Sequence, residues 1–325
     1  MRPVTSRELI CRSTAATPPI ERPFHVKPLF LFSGAPALTP ICLGGSTFGR
    51  ENSESASFAL MDYALTRAIT LIDTAATYSA GASEQIVGNW LTSRRPKAGS
   101  LMVATKIYPP FTPAAIDTAV AASARRLGVE VVDLLYLHKW DADAETPAAL
   151  RALDGLVKSG RVRSLGVSNF YAAQLRKALD VQAAEGLEPF RVLQNASNLA
   201  VRDVDAPLRE LCAARGVSIV TYSPLGAGFL TGKHRGGVEP GSRFDVAPGH
   251  QGVYFKPVCE QRLARLAEVS TRTGHAMTHL ALAWALHHPG VASVLVGGRT
   301  TAQIDQAFAA LALNEPALFA ELEAE

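Results

Sequence analysis

Short apolar runs alternate with longer amphipathic stretches over most of the chain, and that alternation limits the folds open to it. The runs fall at 41–44, 70–73, 101–106, 134–138, 162–167, 192–194, 218–222 and 291–296. Most are continuous rather than alternating in polarity, as expected of parallel strands covered on both faces. Helical patterns lie at 54–67, 83–91, 113–127, 147–159, 172–183, 204–214, 258–273 and 301–311. Thr146-Pro147 and Ser159-Gly160 supply a start and a stop of the expected kind. Strand followed by helix, eight times over, predicts a (β/α)8 TIM barrel. A doubly wound sheet is the alternative. It calls for a Gly-rich turn after the first strand, and Gly44-Gly45-Ser46-Thr47-Phe48-Gly49 is not Gly-x-Gly-x-x-Gly. One region breaks the rhythm: a long loop at 226–256 and an additional helix at 277–287, before the last strand. Insertions there extend the C-terminal face, where barrels bind their ligands.

Composition narrows the function. The 32 Lys and Arg against 29 Asp and Glu leave a net charge of +3. That surplus sits in residues 1–27, where Arg2, Arg7, Arg12, Arg22 and Lys27 face only Glu8 and Glu21. The remaining chain is balanced, which argues against an electrostatic nucleic-acid binder. No apolar run nears the roughly 18 residues of a membrane helix. Cys11, Cys42, Cys212 and Cys259 are scattered and read as reduced thiols, so a cytoplasmic location is expected. Residues 1–27 read as a disordered or surface-wrapped extension, and 28–325 as one domain.

The ends of the apolar runs carry the chemistry. Polar residues follow in order: Asp73, Lys106, His138, Ser168-Asn169, Gln194 and Tyr222. In a barrel these converge on one mouth. Tyr78 follows Asp73 closely. A tyrosine with a pKa near 10 is a poor acid at neutral pH, and a neighbouring ammonium is expected to lower that value. Lys106 can do this, Asp73 can hold Lys106 charged, and His138 can bond the same substrate oxygen. The set activates a carbonyl; it offers neither a nucleophile nor a metal site.

Several stretches taken together resemble the aldo-keto reductases. They are Ile72-Asp73-Thr74-Ala75-Ala76-Thr77-Tyr78, Gly81-Ala82-Ser83-Glu84, Ala104-Thr105-Lys106, Leu137-His138-Lys139-Trp140-Asp141 and Gly166-Val167-Ser168-Asn169-Phe170. Tyr222-Ser223-Pro224-Leu225, Gly228-Phe229-Leu230-Thr231-Gly232-Lys233 and 297–303 complete the series. The resemblance is to the branch that includes the potassium-channel beta subunits and related microbial reductases. It implies a barrel holding NADPH, with NADH as the other possibility, and a small carbonyl substrate. It implies Tyr78 as general acid within a tetrad with Asp73, Lys106 and His138. By the same resemblance Gly45, Ser46, Ser168, Asn169, Gln194, Tyr222, Ser223, Pro224, Leu225, Gly226, Lys233, Arg243, Gly297, Arg299 and Gln303 would hold the cofactor. Arg299 would meet a 2′-phosphate. Phe48, Tyr108 and Trp140 are expected at the substrate mouth, and 250–255 is expected to close over it. The chain departs from the family at Ser79, Ser197, Gln306 and Ala307; the last two lie on the adenosine side. Two other functions stay open: an NAD-dependent sugar or alcohol dehydrogenase, and a non-catalytic nucleotide-sensing subunit. The substrate, the direction of reaction and the oligomeric state are not legible.

Overall fold

The computed structural model describes residues 29–324. The expected N-terminal extension lies outside them. Eight parallel strands close into a barrel in sequence order. They are β1 (Ile41–Gly44), β2 (Leu71–Asp73), β3 (Met102–Ile107), β4 (Val132–Leu137), β5 (Val162–Ser168), β6 (Val192–Ala196), β7 (Ser218–Tyr222) and β8 (Val291–Val296). The helices that follow the first six are α1 (Glu54–Thr66), α2 (Ala82–Arg94), α3 (Pro113–Leu127), α4 (Pro147–Lys158), α5 (Ala172–Glu185) and α6 (Ala206–Arg215). Local chemistry starts and stops them. Ser53, Thr112, Thr146 and Asp205 cap first turns through their side chains, and Gly128, Gly186 and Gly216 end helices in the left-handed region.

The 226–256 segment, read as a loop, contains short helical turns, among them α7 (Arg243–Val246) and α8 (Gln251–Tyr254). After it come α9 (Pro257–Thr273), α10 (Met277–His287), β8, α11 (Thr301–Ala310) and α12 (Pro316–Glu323). The last helix is absent from the sequence expectations, although Pro316 at its start is a usable signal.

Side chains alternate across each strand. Ile41, Leu43, Ile72, Val294 and Val296 face outward into one helix-covered core, and Leu135, Leu165, Val167, Leu193 and Ile219 into a second. Cys42, Leu71, Met102, Leu134, Tyr136, Val192 and Val220 fill the interior, and Leu31, Ala35 and Leu38 pack against that set. The N-terminal end of the barrel is therefore plugged by apolar side chains. The C-terminal end carries the polar ones.

Candidate active site

Alternation that turns Leu71 inward also turns Asp73 inward, and Lys106 follows from Met102 and Ala104 in the same way. Both are buried, at 1% and 0% exposure. The Lys106 ammonium is ion-paired to Asp73 Oδ1. It also donates to the Thr74 carbonyl at 2.9 Å and to the Tyr78 hydroxyl at 3.2 Å. The other Asp73 oxygen accepts from Gln194 Nε2 at 2.8 Å. Two donors on two oxygens fit an ionised carboxylate. Burial works against the charge on Lys106, but Asp73 and Tyr78 more than offset it, so its pKa lies above the ordinary value.

Tyr78 opens the turn after β2, where Ser79 and Ala80 take φ of 50° and 53°. Of the seven non-glycine residues at positive φ among the described residues, five lie in segments following the C-terminal ends of strands: Ser79, Ala80, Asn169, Ser223 and Ala227. Such strain concentrates at functional sites. Burial raises the Tyr78 pKa and outweighs the Lys106 ammonium, so the net shift is upward. The expected lowering is thereby corrected: the low dielectric that strengthens the charge pair also penalises the phenolate. Tyr78 stays protonated at neutral pH.

His138 sits with its ring edge-on to Tyr78, centroids 5.6 Å apart. Its Nδ1 is 3.2 Å from Thr77 Oγ1. Burial, and then the Lys106 charge, lower its pKa to about 3, so the imidazole is neutral. Beside it Asn169 donates to the His138 carbonyl at 2.9 Å and accepts from the Tyr222 hydroxyl at 2.7 Å. Ser168 Oγ donates to the Gln194 carbonyl at 2.7 Å.

A cleft of about 260 Å³ runs from Asp73 and Tyr78 past Tyr222 to Lys233, Arg243 and Arg299. Ser46, Ser223, Pro224, Leu225, Gly297 and Gln303 also line it. Gly45, Ser168, Asn169, Gln194 and Gly226 do not belong to its wall. Gly226 instead makes room for Tyr254: a Cβ there would stand 2.9 Å from that ring. At Gly228, φ is +97° and a Cβ would lie 3.9 Å from the Lys233 ammonium, so the backbone is left open beside a cation. An extended groove with Tyr78, Tyr222 and Ser223 at one end and cations at the other fits a dinucleotide such as NAD(P)H.

The expected substrate residues separate. Tyr108 is 48% exposed and edge-on to His138 at 6.0 Å, and Lys139 stands 4.8 Å over its ring. Trp140 is partly buried against the second core. Phe48 is fully buried in the first core and does not reach the mouth. Its backbone N–H turns back to the Gly45 carbonyl at 3.0 Å, and burial of the ring favours the inward position. Within 250–255, His250 lines the cleft, whereas Tyr254 is buried.

Sequence reasoning missed Thr47, Glu51 and Gly298 in the wall. Glu51 matters most, because it pairs with both Arg50 and Arg243, each at 2.7 Å. Its only signal was its place in the loop after β1. Ala307, expected on the adenosine side, is buried in the core.

The sequence is similar to those of known proteins. The chain is 33% identical over 306 residues to norsolorinic acid reductase B of Dothistroma septosporum, covering 86% of this chain and 76% of that one. It is 29% identical over 320 residues to the protein Tas of Escherichia coli, covering 87% and 92% respectively. Residues 40–318 match the aldo/keto reductase family. With the barrel closed and the match spanning most of its length, the chain belongs to the aldo/keto reductase family of oxidoreductases.

Proposed function

We propose that the protein is an NADPH-dependent reductase that converts an aldehyde or ketone to an alcohol, with Tyr78 as general acid. One observation carries this reading: Lys106, charged by its pairing with Asp73, reaches the Tyr78 hydroxyl at 3.2 Å at the open end of the barrel. The cofactor, when bound, supplies a hydride to the carbonyl carbon. Tyr78 gives its proton to the forming alkoxide. Lys106 stabilises the phenolate left behind, so the penalty of burial falls just as the proton leaves. Neutral His138 offers a ring N–H to the same oxygen and fixes its direction. Asp73 and Gln194 keep the ammonium aimed at Tyr78. Lys233, Arg243 and Arg299 are the residues that would meet the phosphates, and Tyr222 the nicotinamide ring.

The test is a broad panel of aldehydes and ketones, including norsolorinic acid, assayed with NADPH and with NADH. Oxidation of NADPH with at least one carbonyl is expected; none across the panel overturns the reading. A second reading, NADH as the preferred cofactor, is favoured by one observation. The Gln303 side-chain oxygen already accepts the backbone N–H of Arg299 at 2.6 Å and of Thr300 at 3.3 Å. It thereby occupies donors that a 2′-phosphate would use at the start of α11. Dissociation constants for the two cofactors separate the readings.

A further inference from the structure

A second tyrosine lies beneath the tetrad. Tyr136, on β4, points into the barrel and is fully buried. Its register partners are Lys106 on β3 and Gly166 on β5. A Cβ at Gly166 would stand 2.6 Å from two carbons of the Tyr136 ring, so the ring fills space that a larger residue on β5 would take. Packing therefore sets its rotamer. The Lys106 ammonium lies 5.9 Å from the Tyr136 ring centroid and 4.8 Å from that of Tyr78. Both rings contribute cation–π attraction to a charge removed from water.

The Tyr136 hydroxyl makes no hydrogen bond of regular geometry. The groups that bear on it are Asp73 from β2, the Gln194 amide from β6 and Cys42 from β1. Cys42 is held by Ser293 at 2.9 Å, and burial pushes its thiol up to about 12, so it carries no charge. Gln194 is the residue that holds the outer Asp73 oxygen. A buried hydroxyl with no well-formed hydrogen bond is costly, and the Gln194 amide is the neighbour placed to satisfy it.

We propose that Tyr136 is a positioning residue of the reductive site: its ring faces the Lys106 ammonium from beneath, and its hydroxyl bonds the Gln194–Asp73 arm in the working enzyme, keeping Asp73 ionised and Lys106 aimed at Tyr78. It touches neither substrate nor cofactor. The proposal rests on the reductase reading for its kinetic arm.

Tyr136→Phe keeps the ring and removes only the hydroxyl. Its kcat/KM is expected to fall about fivefold to twentyfold, with cofactor affinity changed by less than about twofold. The acid limb of its pH profile moves to higher pH, because the Gln194 amide is no longer fixed, and a carboxylate whose donor is loosened binds protons more tightly. The thermal midpoint falls as well. Tyr136→Leu, which removes the ring too, loses more activity. A pH profile that superimposes on the wild type overturns the proposal. The midpoint is read on protein without substrate, so the two readings fail separately. If the wild type reduces no carbonyl, the reductase reading falls, and the midpoint alone decides for Tyr136. A lower midpoint in Tyr136→Phe supports the bonded hydroxyl; an equal or higher one is the mark of an orphaned hydroxyl and overturns it.

Discussion

At the tetrad end of the cleft each charge has its partners inside the protein, whereas at the far end, lined by Lys233, Arg243 and Arg299, two of the three cations are open to solvent. Asp73 and Lys106 are almost wholly buried, and both Asp73 oxygens and the Lys106 ammonium have named partners. Lys233 and Arg299 are exposed, and the Arg299 guanidinium reaches the Gly241 carbonyl at 3.5 Å. Arg243 lies between these extremes, pairing with Glu51 and 22% exposed. The difference separates two tasks. Charge development in a reaction is best met by dipoles fixed in advance in a dry site. A charged ligand that comes and goes is better met by cations still solvated enough to attract and release it.

The largest expected effect lies at the preorganised end. Tyr78→Phe removes the proton and leaves the cleft wall otherwise intact. We expect kcat to fall about a hundredfold to ten-thousandfold, while the cofactor dissociation constant stays within about twofold. Fluorescence titration and steady-state kinetics on the same preparation check this. Equal loss of both would mean that the two ends are not independent, and the comparison would break.

The same contrast governs what could be read from the sequence. The barrel was legible because parallel strands buried on both faces are continuous apolar runs, and β1, β7 and β8 begin and end where those runs do. β6 runs on to Ala196, two residues past its apolar run. There the Asn195 side chain is satisfied internally, accepting from the Asn169 N–H at 2.7 Å and donating to the Phe170 carbonyl at 2.8 Å. Polarity alone could not show that. The tetrad residues were legible because each closes a strand or follows one closely. The Glu51–Arg243 pair was not, since it joins residues 192 apart through a long insertion. Nor was the direction of the Tyr78 shift. It depends on whether desolvation or a neighbouring charge is larger, and that balance belongs to the packed structure.

His138 tests the preorganised end through stability. Its folded-state pKa of about 3 lies below the ordinary 6.5. Between those values the unfolded chain binds a proton that the folded protein does not. Stability must therefore rise with pH across roughly 3 to 6.5, by at most about 1.4 kcal/mol per pH unit, and be independent of this group above that window. His288, lowered to about 4, adds to the same slope. Urea midpoints at pH 5 and pH 7 for the wild type and His138→Asn isolate the first contribution. The variant is expected to lose less stability on acidification. An unchanged difference would show that His138 is protonated in the folded protein.

At the cation-lined end the effects shrink. Arg243→Ala removes a cation and leaves Glu51, a carboxylate in the cleft wall, held by Arg50 alone, so it loses attraction and uncovers part of a negative charge. We expect cofactor affinity to fall about tenfold and kcat to change little. Calorimetric titration at two salt concentrations checks it, the wild-type advantage diminishing at the higher one. A fall in kcat of the same size would place Arg243 in the chemistry and blur the division between the ends.

Arg299→Ala has the smallest expected effect, and it is the one that discriminates. Its side chain is exposed, and single exposed charges are worth little. The backbone donors beside it are already taken by Gln303, which leaves the guanidinium as the group at the start of α11 suited to a 2′-phosphate. Removing it is expected to weaken NADPH binding about threefold and leave NADH unchanged. An equal effect on both would assign Arg299 to the pyrophosphate or to general steering. No effect on either would leave Gln303 as the determinant at that terminus, because a side chain that caps the helix from within competes with any phosphate offered to it.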